Sequence, residues 1–219
     1  MKKNLTEMVF ILDRSGSMDH LVSDTIGGFN SMIEQQKKED GEAYVTTVLF
    51  DDYYELLHDH VNIQDVQPMT NDEYYARGCT ALLDAIGKTI NSVGKRLSET
   101  PEEERPEKVI FVITTDGYEN ASREFSKSQI KEMIEHQQDK YSWMFMFIGA
   151  NMDAVSEAAS YGIQSAYSKT YTASAQGTSS VYASSSKAIS DIRGIDTSCT
   201  MDWMDCALSS VQAALDEIV

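Results

Sequence analysis

Asp13, Ser15 and Ser17 occupy alternate positions of the segment Asp13-Arg14-Ser15-Gly16-Ser17, directly behind an apolar run at 8–12. In a locally extended loop alternate side chains point the same way, so one carboxylate and two hydroxyls can converge on one point. Gly16 lets the backbone bend closely around that point. An all-oxygen donor set of this kind suits a hard cation such as Mg²⁺ and matches zinc poorly. Two further groups carry the same sort of oxygen. Thr80 stands in Gly78-Cys79-Thr80-Ala81-Leu82 at the start of a helix-period segment, where a threonine can equally serve as the helix cap. Asp116 stands in Thr114-Thr115-Asp116-Gly117 behind a second apolar run, where Asp-Gly can equally make a turn.

Other reactive residue types carry less. His58 and His60 sit at i, i+2, which on one face of an edge strand can hold a metal, but no third ligand accompanies them. Polar residues on an edge strand also discourage aggregation, which is reason enough for both. His20 and His136 have no Ser or Cys partner that would suggest a triad. Cys79 adjoins Thr80, so its thiol could sense redox state or simply pack. No glycine-rich phosphate-binding motif is present, so nucleotide binding has no support in the sequence.

The elements that must position these residues follow from hydrophobic period. Continuous apolar runs at 8–12, 109–113 and 143–148 predict buried strands, 43–50 reads as a further strand, and the more alternating 54–61 predicts an antiparallel edge strand. Residues 163–167 are expected to form a weak final strand. Val22, Ile26, Phe29 and Ile33 make one helical stripe, Leu83, Ile86, Ile90, Val93 and Leu97 a second, and Ile130, Met133 and Ile134 a third. A short helix is expected over 151–161. Segment 98–108, with Pro101, Pro106 and three consecutive glutamates, reads as an exposed, mobile loop. Two terminal helices, about 174–193 and 202–218, are expected to pack on the domain, the serines at 184–186 partly on their solvated side. Strands alternating with helices imply an α/β, doubly wound, mostly parallel sheet of about six strands with one antiparallel edge strand and helices on both faces. Sites in such sheets form beyond the carboxyl ends of the strands. The 219 residues are expected to form a single domain.

Eighteen Lys and Arg against 35 Asp and Glu give a formal net charge of −17. That balance excludes sequence-independent nucleic-acid binding and docking on anionic lipid, both of which need clustered cations. Cys79, Cys199 and Cys206 are too few and too widely spaced for a disulfide framework or a zinc site, and are expected as reduced, partly buried thiols. The run at 8–12 is too short for a signal-peptide core, and no stretch is long enough to span a membrane, so the chain is placed in a reducing cytoplasm.

Taken together, Asp13-x-Ser15-x-Ser17, Thr80 within GCTALLDAIG and Asp116 within ITTDGYEN resemble the von Willebrand factor A (VWA) family and its metal-ion-dependent adhesion site, or MIDAS. All five positions carry the expected residue type in the expected order, over roughly residues 5–167, with the terminal helices less clearly inside the likeness. The resemblance implies that Ser15 and Ser17 bind the cation directly, that Asp13 and Asp116 act partly through water, and that Thr80 joins or leaves with conformation. It implies Mg²⁺, with Mn²⁺ or Ca²⁺ as possible occupants, and an open coordination position for an Asp or Glu of a partner protein. Asp84 would support its helix, and Glu119 and Asn120 would shape their loop. The implied function is a metal-dependent protein–protein interaction module and not an enzyme, because the pattern supplies no nucleophile or tuned acid/base. Cytoplasmic bacterial and phage-encoded VWA proteins of this kind serve as adaptors for larger machines, some with an AAA+ ATPase, which is analogy alone. Two rivals stand beside this reading: a metal-dependent phosphohydrolase on a similar sheet, and a scaffold protein whose metal is structural. A haloacid-dehalogenase type enzyme would carry a second Asp two residues after the first, where this chain has Ser15.

Overall fold

Apolar runs with no polar face are satisfied by strands covered on both sides, and three such runs form the middle of one sheet. In the computed structural model, which describes residues 1–197 and 203–219, the strands are β1 (Lys2–Asp13), β2 (Glu42–Phe50), β3 (Tyr54–Asn62), β4 (Pro106–Thr115), β5 (Met144–Ala150) and β6 (Ser168–Tyr171). Their order is β3-β2-β1-β4-β5-β6, and every pairing is parallel except β2 with β3. The chain steps outward from β1 to β3, returns to the other side of β1 for β4, and continues out to β6. Strand order therefore reverses between β1 and β4, which opens a crevice beyond their carboxyl ends.

The stripes become helices that cover both faces. α1 (Val22–Gln36), α5 (Ala175–Gly194) and α6 (Trp203–Asp216) share one face, with α5 packed between the other two. α2 (Leu82–Glu99) and α3 (Lys127–Tyr141) cover the other face, and α4 (Ala154–Ser160) packs on β5 and β6. The alternation of β1 fixes the faces. Phe10 meets Phe29 of α1 edge-on with ring centres 5.5 Å apart, while Glu7, an odd number of residues away, pairs with Arg96 of α2 at 2.7 Å. No described helix is long and apolar enough to cross a membrane.

Five expectations need correction. The last strand is not 163–167: residues Ser165–Tyr167 form a 3₁₀ turn, and the strand is Ser168–Tyr171, a short edge whose own residues are mostly polar. The exposed stretch expected over 98–108 ends at Arg105, because β4 begins at Pro106 and Lys108 is buried. Ser184, Ser185 and Ser186 are all buried, since α5 has helices on both flanks. Cys79 and Cys206 are exposed thiols, while Cys199 lies outside the described residues. Finally, His58 and His60 do not share a face. Register shifts against β2 interrupt the pleat of β3, and His60 takes a left-handed φ of 53°. His58 stacks on Phe29 on the α1 side, whereas His60 stacks on Tyr44 and meets Glu7 through Nδ1 at 2.6 Å on the α2 side. α5 and α6 run over Ala175–Gly194 and Trp203–Asp216, where two terminal helices are expected over about 174–193 and 202–218; residue 202 lies outside the described residues.

Candidate metal centre

β1 ends at Asp13, deep enough that only 1% of the residue is exposed. Its Oδ1 accepts the Ser15 backbone N–H at 2.7 Å and its Oδ2 accepts the Thr115 hydroxyl at 2.6 Å. Among the described residues no cationic side chain pairs with it. The adjacent Arg14 is fully buried but turns away, giving Nε to Asp51 at 3.0 Å and Nη2 to Glu55 at 2.7 Å. Burial therefore pushes the Asp13 carboxyl up to about 6; the bonds from Thr115 and Ser15 oppose the shift, and the nearby Asp116 charge adds to it.

The hydroxyls lie on the same spot. Ser15 Oγ is 3.2 Å from Ser17 Oγ, and Ser17 Oγ donates to Asp116 Oδ1 at 2.5 Å. Asp116 follows the end of β4 directly, and burial raises its carboxyl above the ordinary range against the pull of the Ser17 bond. Thr80 is buried, and its Oγ1 stands by Gly117: a Cβ built on Gly117 would come within 3.5 Å of Thr80 Oγ1 and 3.9 Å of Ser17 Oγ. Both are ordinary contact distances, which places Thr80 Oγ1, Ser17 Oγ and Gly117 together at the rim. Thr80 is not the helix cap, for Ala81 holds that position and α2 begins without a side-chain cap. All five residues expected from the sequence thus meet at the rim beyond β1 and β4.

A set of carboxylates and amides holds the loops in place. Thr80 N–H donates to Asn120 Oδ1 at 3.0 Å, and the Thr80 carbonyl accepts the backbone N–H groups of Asn120 and Ala121. Glu119 accepts the Leu83 N–H at 3.0 Å and three donors from Ala121 and Ser122. Asp84 reaches beyond its own helix and accepts the N–H groups of Arg123, Glu124 and Phe125. The Thr80 and Asp116 loops are therefore tied to each other as well as to the sheet. Sequence reasoning did not single out Thr115, which holds Asp13, or Tyr74, whose hydroxyl donates to the Asp13 carbonyl at 2.5 Å. Thr115 adjoins Asp116 in the motif and was legible in principle. Nothing local marks Tyr74, which lies 61 residues from Asp13.

The donor set fits a hard cation. Every side chain in it offers oxygen, and two carboxylates that burial has made costly stand by three hydroxyls whose lone pairs can serve as ligands. Among the described residues no three His, Cys, Asp or Glu side chains come together for a metal, so a cation here would depend on the hydroxyls.

No protein-family model matches the sequence, and no curated protein sequence matches it. Solved structures do match in shape. Proximal thread matrix protein 1 from the mussel byssus, with a zinc-occupied MIDAS motif, aligns with a TM-score of 0.59 at 19% identity over 87% of this chain and 47% of that one. The chain thus spans about half the length of the mussel protein. Manganese-loaded TRAP protein of Plasmodium vivax aligns with a TM-score of 0.56 at 15% identity, over 78% of this chain and 70% of that one. The von Willebrand factor domain of the type V pili tip protein Mfa5 from Porphyromonas gingivalis aligns with a TM-score of 0.61 at 9% identity, over 90% and 98% of the two chains. At these identities the likeness is one of architecture, and on that ground the chain has the von Willebrand factor A fold.

Proposed function

We propose that this chain is a divalent-cation-dependent protein-interaction module that captures a carboxylate of a partner protein. The observation that carries the reading is the meeting of Ser15, Ser17, Thr80, Asp13 and Asp116 at one rim, where Ser17 Oγ touches both Ser15 Oγ and Asp116 Oδ1, Asp13 holds the Ser15 N–H, and Thr80 Oγ1 stands beside Gly117. Ser15 and Ser17 would hold the ion through their hydroxyls, Thr80 would join them, and Asp13 and Asp116 would supply charge. Bound Mg²⁺, with Mn²⁺ or Ca²⁺ as alternatives, would offer a Lewis-acidic position to an Asp or Glu of the partner. With neutral hydroxyls as its direct ligands and the carboxylates of Asp13 and Asp116 acting partly through water, such an ion would be under-neutralised in its inner shell and attractive to a partner's carboxylate.

A binding role fits this chain better than catalysis. Neither serine hydroxyl is hydrogen-bonded to a general base of the histidine kind; His20 Nδ1 lies 3.0 Å from the Ser17 backbone carbonyl instead. Ser15 replaces the second aspartate that a phosphohydrolase of the haloacid-dehalogenase type would use. Cytoplasmic placement and service as an adaptor to a larger machine, an AAA+ ATPase included, belong to the same proposal and rest on analogy.

The experiment is calorimetry on chelator-stripped protein. Uptake of one equivalent of Mg²⁺ or Mn²⁺, abolished by Asp13→Ala and by Ser17→Ala, is the expected result. Partner capture should then require the metal and disappear in EDTA. Absence of uptake at millimolar metal, or a partner set indifferent both to EDTA and to Asp13→Ala, overturns the reading.

A further inference from the structure

Four tyrosines are strongly exposed among the described residues, and three of them, Tyr53, Tyr75 and Tyr118, lie on the loops that surround the metal site. Tyr118 sits two residues past Asp116. Tyr53 and Tyr75 are held in a fixed group with Arg77, whose guanidinium carbon stands 5.6 Å from the Tyr53 ring centre and 5.1 Å from that of Tyr75. Arg77 Nε donates to the buried Asp51 at 2.6 Å and Nη1 to the Tyr75 hydroxyl at 2.8 Å. Asp51 also accepts the Tyr53 N–H at 2.7 Å, and its carbonyl accepts the N–H of Ala81, the residue next to Thr80, at 3.0 Å. The group is thereby coupled through one aspartate to the loop that carries a candidate ligand. A cavity of about 420 Å³ opens beside it, with Tyr53, Tyr54, Ala81 and Arg123 among its walls.

Holding long side chains still at a surface costs rotamer entropy. Tyr53 is 70% exposed, so its ring gains little from the fold in return. Ordering such groups in advance lowers the cost of a later association, and Tyr and Arg are the types that dominate interface energetics. Resting on the metal-dependent reading above, we infer that the partner segment carries an aromatic residue a few positions from its acidic anchor, and that this ring is received by Tyr53 and Arg77. A planar ring suits this surface because it can stack on tyrosine faces and on the guanidinium plane. A second acidic residue would suit it less, because Asp51 and Glu55 already face Arg77 and the chain carries a net charge of −17.

The test is a positional-scanning peptide array, each peptide centred on Asp, probed with the purified chain in Mg²⁺ and in EDTA. The expected result is a metal-dependent requirement for the central Asp together with a roughly tenfold preference for Phe, Tyr or Trp over Ala at one flanking position. Tyr53→Ala should erase the flanking preference and keep the requirement for Asp. Tyr141→Ala, a similarly exposed tyrosine at the far end of the sheet, should change neither. A requirement for Asp with no aromatic preference, or with a preference that survives Tyr53→Ala, overturns this inference and leaves the metal-dependent function standing. Loss of the Asp requirement itself in Mg²⁺ overturns both.

Discussion

A buried carboxylate with both oxygens hydrogen-bonded and no cationic partner is a poor choice for stability, and among the described residues Asp13 is such a group. Its carboxyl stands at about 6 against an ordinary 3.8, so between those values the metal-free folded protein holds a proton that the unfolded chain has lost. That part of the stability is present below pH about 4 and is lost as pH rises through about 6. Asp13→Asn removes the ionisation without removing the hydrogen bonds. Its amide oxygen can accept the Ser15 N–H, and its NH₂ can donate to Thr115 Oγ1, whose proton already has Gly117 O at 3.0 Å as a second acceptor. Urea unfolding in EDTA should therefore show Asp13→Asn more stable than wild type by roughly 2–3 kcal/mol at neutral pH, the gain fading toward pH 4. The same variant should take up no Mg²⁺. A variant destabilised at neutral pH would mean that Asp13 is compensated by something other than a metal. The motif was legible in the sequence because Asp13, Ser15, Ser17 and Asp116 lie within five positions of a strand end and Thr80 lies two residues before a long amphipathic helix; the energetic tension at Asp13 was not, because it depends on Arg14 turning toward Asp51 and Glu55 instead.

At the level of elements, two buried cations settle helix ends far from the metal site. Lys108 of β4 donates through Nζ to the carbonyls of Ile192, Arg193 and Ile195 at 2.8, 3.1 and 2.5 Å, closing the carboxyl end of α5. Arg193, at that same end, donates to the carbonyls of Gln36, Asp40 and Gly41 and closes α1 in turn. Lys108→Met keeps most of the volume but leaves buried carbonyls unpaired. It should lower stability by about 2–4 kcal/mol in urea unfolding and leave Mg²⁺ affinity unchanged, since Lys108 lies at the opposite end of β4 from Asp116. A loss of affinity beyond threefold would show that the terminal helices communicate with the site. These pairings explain what the sequence could not display. Lys108 stands between prolines, glutamates and an apolar run, and its burial depends on a helix 84 residues further along. The serines at 184–186 are polar by type and buried by position, with Gln36 donating to the Ser186 carbonyl at 2.9 Å. The final strand is expected a few residues too early, at 163–167, because a four-residue edge strand needs little hydrophobic pattern to fix its place. The central strands and the long amphipathic helices were legible because their periodicity is continuous, whereas the bulges in β3 leave no mark on composition.

For the molecule as a whole, the net charge of −17 and the metal site act on stability together. Any divalent salt screens self-repulsion, so a rise in melting temperature with Mg²⁺ alone would prove nothing about the site. Specific binding adds a second contribution that grows with the logarithm of metal concentration, about 2.7 kcal/mol at a hundredfold excess over Kd. For a chain of this size that corresponds to a rise of roughly 5–10 °C. The two contributions separate when Mg²⁺ is compared with NaCl at matched ionic strength. Screening should give both salts the same increment in Asp13→Asn, whereas wild type should show the additional logarithmic rise with Mg²⁺ alone. If wild type and variant respond to Mg²⁺ identically, the gathered oxygens hold no ion, and the hydroxyl contacts around Ser17 are sufficient unto the fold.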